Sequence, residues 1–119
     1  NSAWETTQGS NGFRCLGNAT HILRNNFAYQ TGAVSSGCNA DASNNSWQIE
    51  TLTISGGSFL SLDDTGTTSA RQADGSLPTL NFLRPNPSAA SGNSLIDRGV
   101  DVGLTFCGSA PDLGAFEHC

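Results

Sequence analysis

Apolar residues fall in short bursts along this chain, separated by runs of Gly, Asn, Ser and Thr. Phe13-Arg-Cys-Leu16 runs into Gly17-Asn18, then come Thr20-His-Ile-Leu-Arg-Asn-Asn-Phe-Ala-Tyr29 and Cys38-Asn-Ala-Asp-Ala-Ser-Asn-Asn-Ser-Trp47. Bursts this short, bounded by turn-forming residues, predict brief strands rather than helices. The pairs Asn25-Asn26 and Asn44-Asn45 recur 19 residues apart, and each is followed closely by an aromatic, Phe27 or Trp47. A period of about 20 residues with Asn at the bends is the pattern of a solenoid coil. Stacked coils place equivalent bends above one another, where an Asn amide can bond up and down the stack. Residues 47–54 are rich in β-branched side chains and predict one more strand, broken by Gly56-Gly57. Ser58-Phe-Leu-Ser-Leu-Asp63 reads as a single helical turn with Ser58 near its cap, and Leu80 and Phe82 alternate as a short strand. The later half carries no repeat. The pattern divides the single domain into coils over residues 1–54 and a wrapped tail over 55–119.

Composition sharpens this picture. Of the 119 residues, 51 are Gly, Asn, Ser or Thr, which suits short strands joined by turns and disfavours helices. Six Phe, two Trp and a charged fraction of only 13% argue against a disordered chain. The fold class expected is all-β. The net charge is −5 and there is no lysine, so the clustered cations that bind nucleic acid are missing. An anionic polysaccharide is repelled in the same way unless a metal ion bridges the two.

Four cysteines, Cys15, Cys38, Cys107 and Cys119, form no C-x-x-C pair, which excludes a zinc knuckle or thioredoxin-type motif. An even count in a short, turn-rich chain points to disulfides and an oxidising, extracellular setting. Three pairings are open. Cys15 with Cys38 and Cys107 with Cys119 is favoured because each pair is close in sequence, while Cys119 at the end also invites an intermolecular bridge. The sequons at Asn18 and Asn44 are compatible with secretion. No apolar stretch is long enough to span a membrane, and the chain begins without a signal peptide, as a processed or trimmed product would.

Four motifs in the later half occur in a telling order: Ser58-Phe-Leu-Ser-Leu-Asp63, Ala70-Arg-Gln-Ala-Asp-Gly-Ser-Leu-Pro78, Ser94-Leu-Ile-Asp-Arg-Gly-Val-Asp-Val-Gly103 and Gly108-Ser-Ala-Pro-Asp-Leu-Gly-Ala-Phe-Glu117. Together they resemble the C-terminal signature of family 9 polysaccharide lyases, the pectate lyase-like proteins. The resemblance is strong over residues 47–117 and looser over 11–47. It implies a short right-handed parallel β-helix with an irregular C-terminal tail packed against it. In that family a lysine abstracts the proton beside a uronate carboxylate, and aspartates hold a Ca²⁺ that neutralises the substrate. A base and a cation are what β-elimination on polygalacturonate requires. The resemblance places those residues on earlier coils, and no cofactor is expected here unless the lyase reading holds, in which case it is Ca²⁺.

Individual candidates are weak. Asn11-Gly-Phe-Arg-Cys-Leu16 faintly resembles the segment that carries the family's lysine, putting Arg14 in its place; arginine is a poor base near neutrality, and a coil-surface role is preferred. Asp63 and Asp64 have the hard oxygens that Ca²⁺ takes, yet a turn beside Gly66 accounts for them better. Asp97 and Asp101 read as an Asx-turn network with an ion pair to Arg98, and Asp112 as a turn residue. His21 and His118 lack any matching nucleophile or ligand spacing. Trp4 is the best exposed aromatic for stacking on a sugar, whereas Tyr29 and Trp47 are expected inside or between coils.

A short stack is unfinished, because a bare end leaves strand edges and an apolar cross-section in water. The tail covers one end, and nothing in residues 1–12 resembles a cap for the other. The expectation is a non-catalytic extracellular solenoid of lyase ancestry, its open end covered by head-to-tail self-association into an oligomer or fibre, or by a partner chain supplying coils. The alternative is a fragment or subunit of a Ca²⁺-dependent pectate lyase. A polysaccharide remains a conceivable partner; nucleic acid and membranes are not.

Overall fold

A computed structural model describes residues 1–4 and 11–119. Six short strands build the coiled part: β1 (Ser2–Trp4), β2 (Asn11–Phe13), β3 (His21–Arg24), β4 (Phe27–Tyr29), β5 (Gly32–Val34) and β6 (Ala40–Ser43). Every pairing is parallel and skips two strands. Ser2 pairs with Phe27, Asn11 with Gly32 and His21 with Ala40, giving three two-stranded sheets. β1–β3 are therefore one coil and β4–β6 the next, stacked face to face, which is a parallel β-helix.

The strands are short because the chain must turn three times per coil, and Asn residues make one of those turns in each coil. Asn25 and Asn44 sit at equivalent bends with φ of 57° and 53°, a region that Asn tolerates through its short polar side chain. The next residues, Asn26 and Asn45, point inward and are buried. Asn45 Oδ1 accepts from Asn26 N–H at 3.0 Å and from Asn26 Nδ2 at 2.7 Å, the rung-to-rung bond that the 19-residue repeat predicts. Inside the first coil Ala3 is buried, and Gly12 faces it with no room for a Cβ.

Strand alternation then puts Ser2, Trp4, Phe27 and Tyr29 on the opposite, outer face of the β1–β4 sheet. The tail packs there. Phe27, Leu52, Phe59, Leu83, Leu95 and Leu113 form the main core, with Trp4, Tyr29 and Phe82 against it. Ring centroids lie 5.2 Å apart for Phe27–Phe59, 5.3 Å for Tyr29–Phe59 and 5.1 Å for Trp4–Phe82. The core thus lies between coils and tail, not within the coils.

Three local expectations are corrected. Residues 47–54 are not a strand: a 3₁₀ turn (Ser46–Gln48) forms after Asn45, and Leu52 and Ile54 then pack under the tail. Gln48 Oε1 accepts from both the backbone and the side chain of Asn45, closing that turn. The helical turn expected to start at Ser58 ends there instead (Gly56–Ser58), and Phe59 and Ser61 form isolated bridges with Pro85 and Phe82. Trp4 and Tyr29 pack outside the coil under the tail rather than in water or between coils. Both disulfides join neighbours, Cys15–Cys38 and Cys107–Cys119, so Cys119 is bonded within the chain.

Candidate functional site

The tail grips the coil bends through main-chain groups. Asn25 Nδ2 donates to Val100 O and Asn25 Oδ1 accepts from Val100 N–H, both at 2.8 Å. One bend further on, Asn44 Nδ2 donates to Arg98 O at 3.2 Å. Behind this contact the tail is folded on itself by carboxylates. Asp97 accepts from the backbone of Ser109 and Ala110, at 2.8 and 3.0 Å. Asp112, buried, bridges Asp97 N–H at 2.9 Å and His118 N–H at 2.7 Å, and Glu117 accepts from Asp112 N–H. Leu113 N–H donates to Leu95 O and Gly114 N–H to Asn25 O, so the two last motifs close over the bend together. Gly114, at φ 106°, lies against Phe27, where a Cβ would come within 2.5 Å of the ring.

Between bend and tail is a cavity of about 450 Å³, bordered by Asn1, Arg24, Asn25, Val102, Leu104 and Phe116 among others. The Asn1 α-amine donates to Gly114 O at 3.2 Å, and burial lowers it from its ordinary value. Arg24 pairs with Asp41 at 2.8 Å across the β3–β6 sheet.

The residues singled out in the sequence are scattered around this frame. Arg14 is exposed just after β2 on the first coil. Asp63 accepts from Thr65 N–H at 2.9 Å; hydrogen bonds from Thr65 hold its carboxyl below the ordinary value, in an exposed turn that Asp64 shares. Asp101 accepts from Gly103 N–H at 2.7 Å, an Asx turn, but the expected ion pair with Arg98 is absent. Arg98 instead donates to Ser91 O, because the chain reversal at Asp97 turns it toward that loop. Trp4 is half-buried, its ring T-shaped to Phe82 and its indole nitrogen buried. Asn18 is exposed at a bend, whereas the amide of Asn44 that a glycan would occupy holds the tail. Among the described residues no three His, Cys, Asp or Glu side chains converge as a metal site requires. No helix is long and apolar enough to cross a membrane.

Sequence reasoning saw the Asn repeat as a ladder and missed that the first Asn of each pair seats the tail. The signal was available: two Asn per bend is one more than a ladder needs.

No family model matches the sequence. Pectate lyase L of Dickeya dadantii (strain 3937) is 38% identical over 99 residues, 82% of this chain and 22% of that protein. Pectate lyase L of Dickeya chrysanthemi matches to the same extent. The crystal structure of pectate lyase Pel9A superposes on all of this chain with a TM-score of 0.72 and 33% identity, over 28% of its own length. This chain is a homologue of the C-terminal part of pectate lyases. The pectate lyase-like coils and tail span about a quarter of the length of these relatives. Of the motifs that carried the resemblance, the last two form the tail's clamp, with Leu95 and Leu113 fully buried beneath it, whereas residues 70–77 are exposed.

Proposed function

We propose that this pectate lyase-like region closes and clamps the C-terminal end of a secreted parallel β-helix that cleaves polygalacturonate by β-elimination, further coils supplying the base and the Ca²⁺ site. One observation carries this reading. β1, β2 and β3 each pair on one side only, with β4, β5 and β6, so among the described residues the other edge of every sheet is open. Open edges of parallel strands are templates for more strand. The absence of lysine from the chain fits a supporting role, since the family resemblance assigns the base to a lysine. The disulfides fit an oxidising, extracellular compartment.

The test is a chimera in which this chain replaces the corresponding part of pectate lyase L. Ca²⁺-dependent release of unsaturated uronate products is expected from the chimera and not from the 119-residue chain alone. A folded but inactive chimera overturns the reading, as does activity of the isolated chain. Head-to-tail self-association predicts instead that sedimentation of the isolated chain shifts upward with concentration, into species that grow without limit.

A further inference from the structure

A second groove lies where the chain leaves the second coil. Phe27 N–H bonds back to Asn1 O in the first coil, so the next amide along β4, that of Ala28, points the other way. It donates to Ser46 Oγ at 3.2 Å, and beside this contact opens a groove of about 370 Å³. Small-molecule sites begin at about 300 Å³. Tyr29, Gln30, Ser46 and Trp47 border the groove, and none of its lining residues carries a charge.

The four side chains have bonding capacity to spare. Trp47 stands outside the main apolar core: its ring meets Phe13 at 5.5 Å, and its indole N–H makes no hydrogen bond among the described residues. Ser46 Oγ accepts from Ala28 and keeps its own O–H to give. Gln30 Nε2 reaches the Tyr29 hydroxyl only at 3.4 Å, a long bond that a better acceptor displaces. Gln30 is exposed and holds φ 55°, a left-handed conformation that Asn and Gly adopt far more readily. Backbone strain of this kind gathers at ligand clamps.

Two aromatic rings, two hydroxyls and a primary amide in an uncharged groove suit one class of ligand. The C–H bonds on the face of a pyranose are positively polarised and stack on the electron-rich faces of Tyr and Trp. Its hydroxyls, each a donor and an acceptor, meet amide and hydroxyl groups. We propose that this groove binds one pyranose residue of a neutral glycan, with Tyr29 and Trp47 stacking on the sugar and Gln30 and Ser46 bonding its hydroxyls. A uronate is disfavoured, because its carboxylate finds no cation among the lining residues and meets a chain of net charge −5. The site goes beyond the lyase reading and does not rest on it.

The test is a titration of the isotope-labelled 119-residue protein, followed by NMR, with neutral tetrasaccharides of glucose, xylose or galactose and, in parallel, with tetragalacturonate. A neutral sugar is expected to move the Trp47 indole N–H and the Gln30 side-chain amide while Trp4, which does not border the groove, stays fixed. Gln30→Gly removes the amide and relaxes the positive φ, so the fold is kept, and affinity should fall about fivefold, the effect of one net hydrogen bond. Fixed Trp47 and Gln30 resonances with all three neutral sugars at millimolar concentration overturn the site, and undiminished affinity in Gln30→Gly overturns its geometry. Equal or tighter binding of tetragalacturonate rejects the neutral class. Trp47 shifts that follow protein concentration alone mean that a second copy of the chain covers the groove, and they also sink the proposal. None of these outcomes depends on the lyase chimera.

Discussion

The amide of Asn45, with no exposed surface, makes every bond its atoms allow: Oδ1 takes two donors from Asn26, and Nδ2 donates to Leu23 O at 2.9 Å and Gln48 Oε1 at 2.8 Å. It ties two coils and the turn that ends them. Asn45→Ala strands two donors and a carbonyl in a dry site, and is expected to cost about 3 kcal/mol of unfolding free energy in urea titration. Asn44→Gly, which keeps the left-handed backbone at φ 53° without strain, loses one partly exposed bond and should cost about 1 kcal/mol. Equal losses at the two positions would contradict the division of labour between rung and bend. The rung role was legible in the 19-residue spacing. The bend role was not, because its partners Arg98 and Val100 stand 54 and 75 residues away in sequence.

Among the elements, strand positions followed from pattern wherever the chain repeats, and failed where it stops repeating. Ile49, Thr51, Thr53 and Ile54 have strand propensity, but the capping turn at Asn45 and Gln48 takes the chain out of the stack before they can pair. Leu52 and Ile54 then serve the core under the tail. Propensity yields here to burial. The tail is an element held by carboxylates, and this gives it a pH dependence. Backbone donation from Ala110 and Ser109 lowers the Asp97 carboxyl from its ordinary value. A carboxyl lowered in the folded state stabilises above its unfolded pKa, and that contribution is lost as pH falls through the folded value. Thermal melts should therefore show wild-type protein losing stability below about pH 4, with Asp97→Asn less stable at neutrality and flatter in acid. Asp63 and Asp74 are lowered too, so a residual slope of the same sign survives in the variant. A variant slope as steep as the wild type's would remove Asp97 from the clamp.

At the scale of the whole molecule, the apolar core is small for a chain of this length: among the described residues seven hydrophobics are buried, one of them an alanine. Disulfides make up part of the difference. Cys15–Cys38 spans 23 residues and ties the corners of adjacent coils, while Cys107–Cys119 spans 12 and fastens the end of the tail. Each bridge constrains the unfolded chain by about 3 kcal/mol, slightly more for the longer loop. The paired variant Cys15→Ser/Cys38→Ser should melt below Cys107→Ser/Cys119→Ser, and reductant should lower the wild-type midpoint. A midpoint insensitive to reductant would show that packing alone suffices.

The amino-acid sequence alone determined the short strands, their period, the bends, the nearest-neighbour cysteine pairs and the ancestry, because each is written in residues close together or in motifs read in order. Only the tertiary structure decided that the aromatic residues of the β1–β4 sheet face outward, that the core lies between coils and tail, and that Asp97 and Asp112 hold the tail together. Those outcomes depend on which face of a strand meets a segment many residues away. Alternation along the chain says that Trp4 and Ala3 point in opposite directions; it takes the docked tail to say which of them is inside.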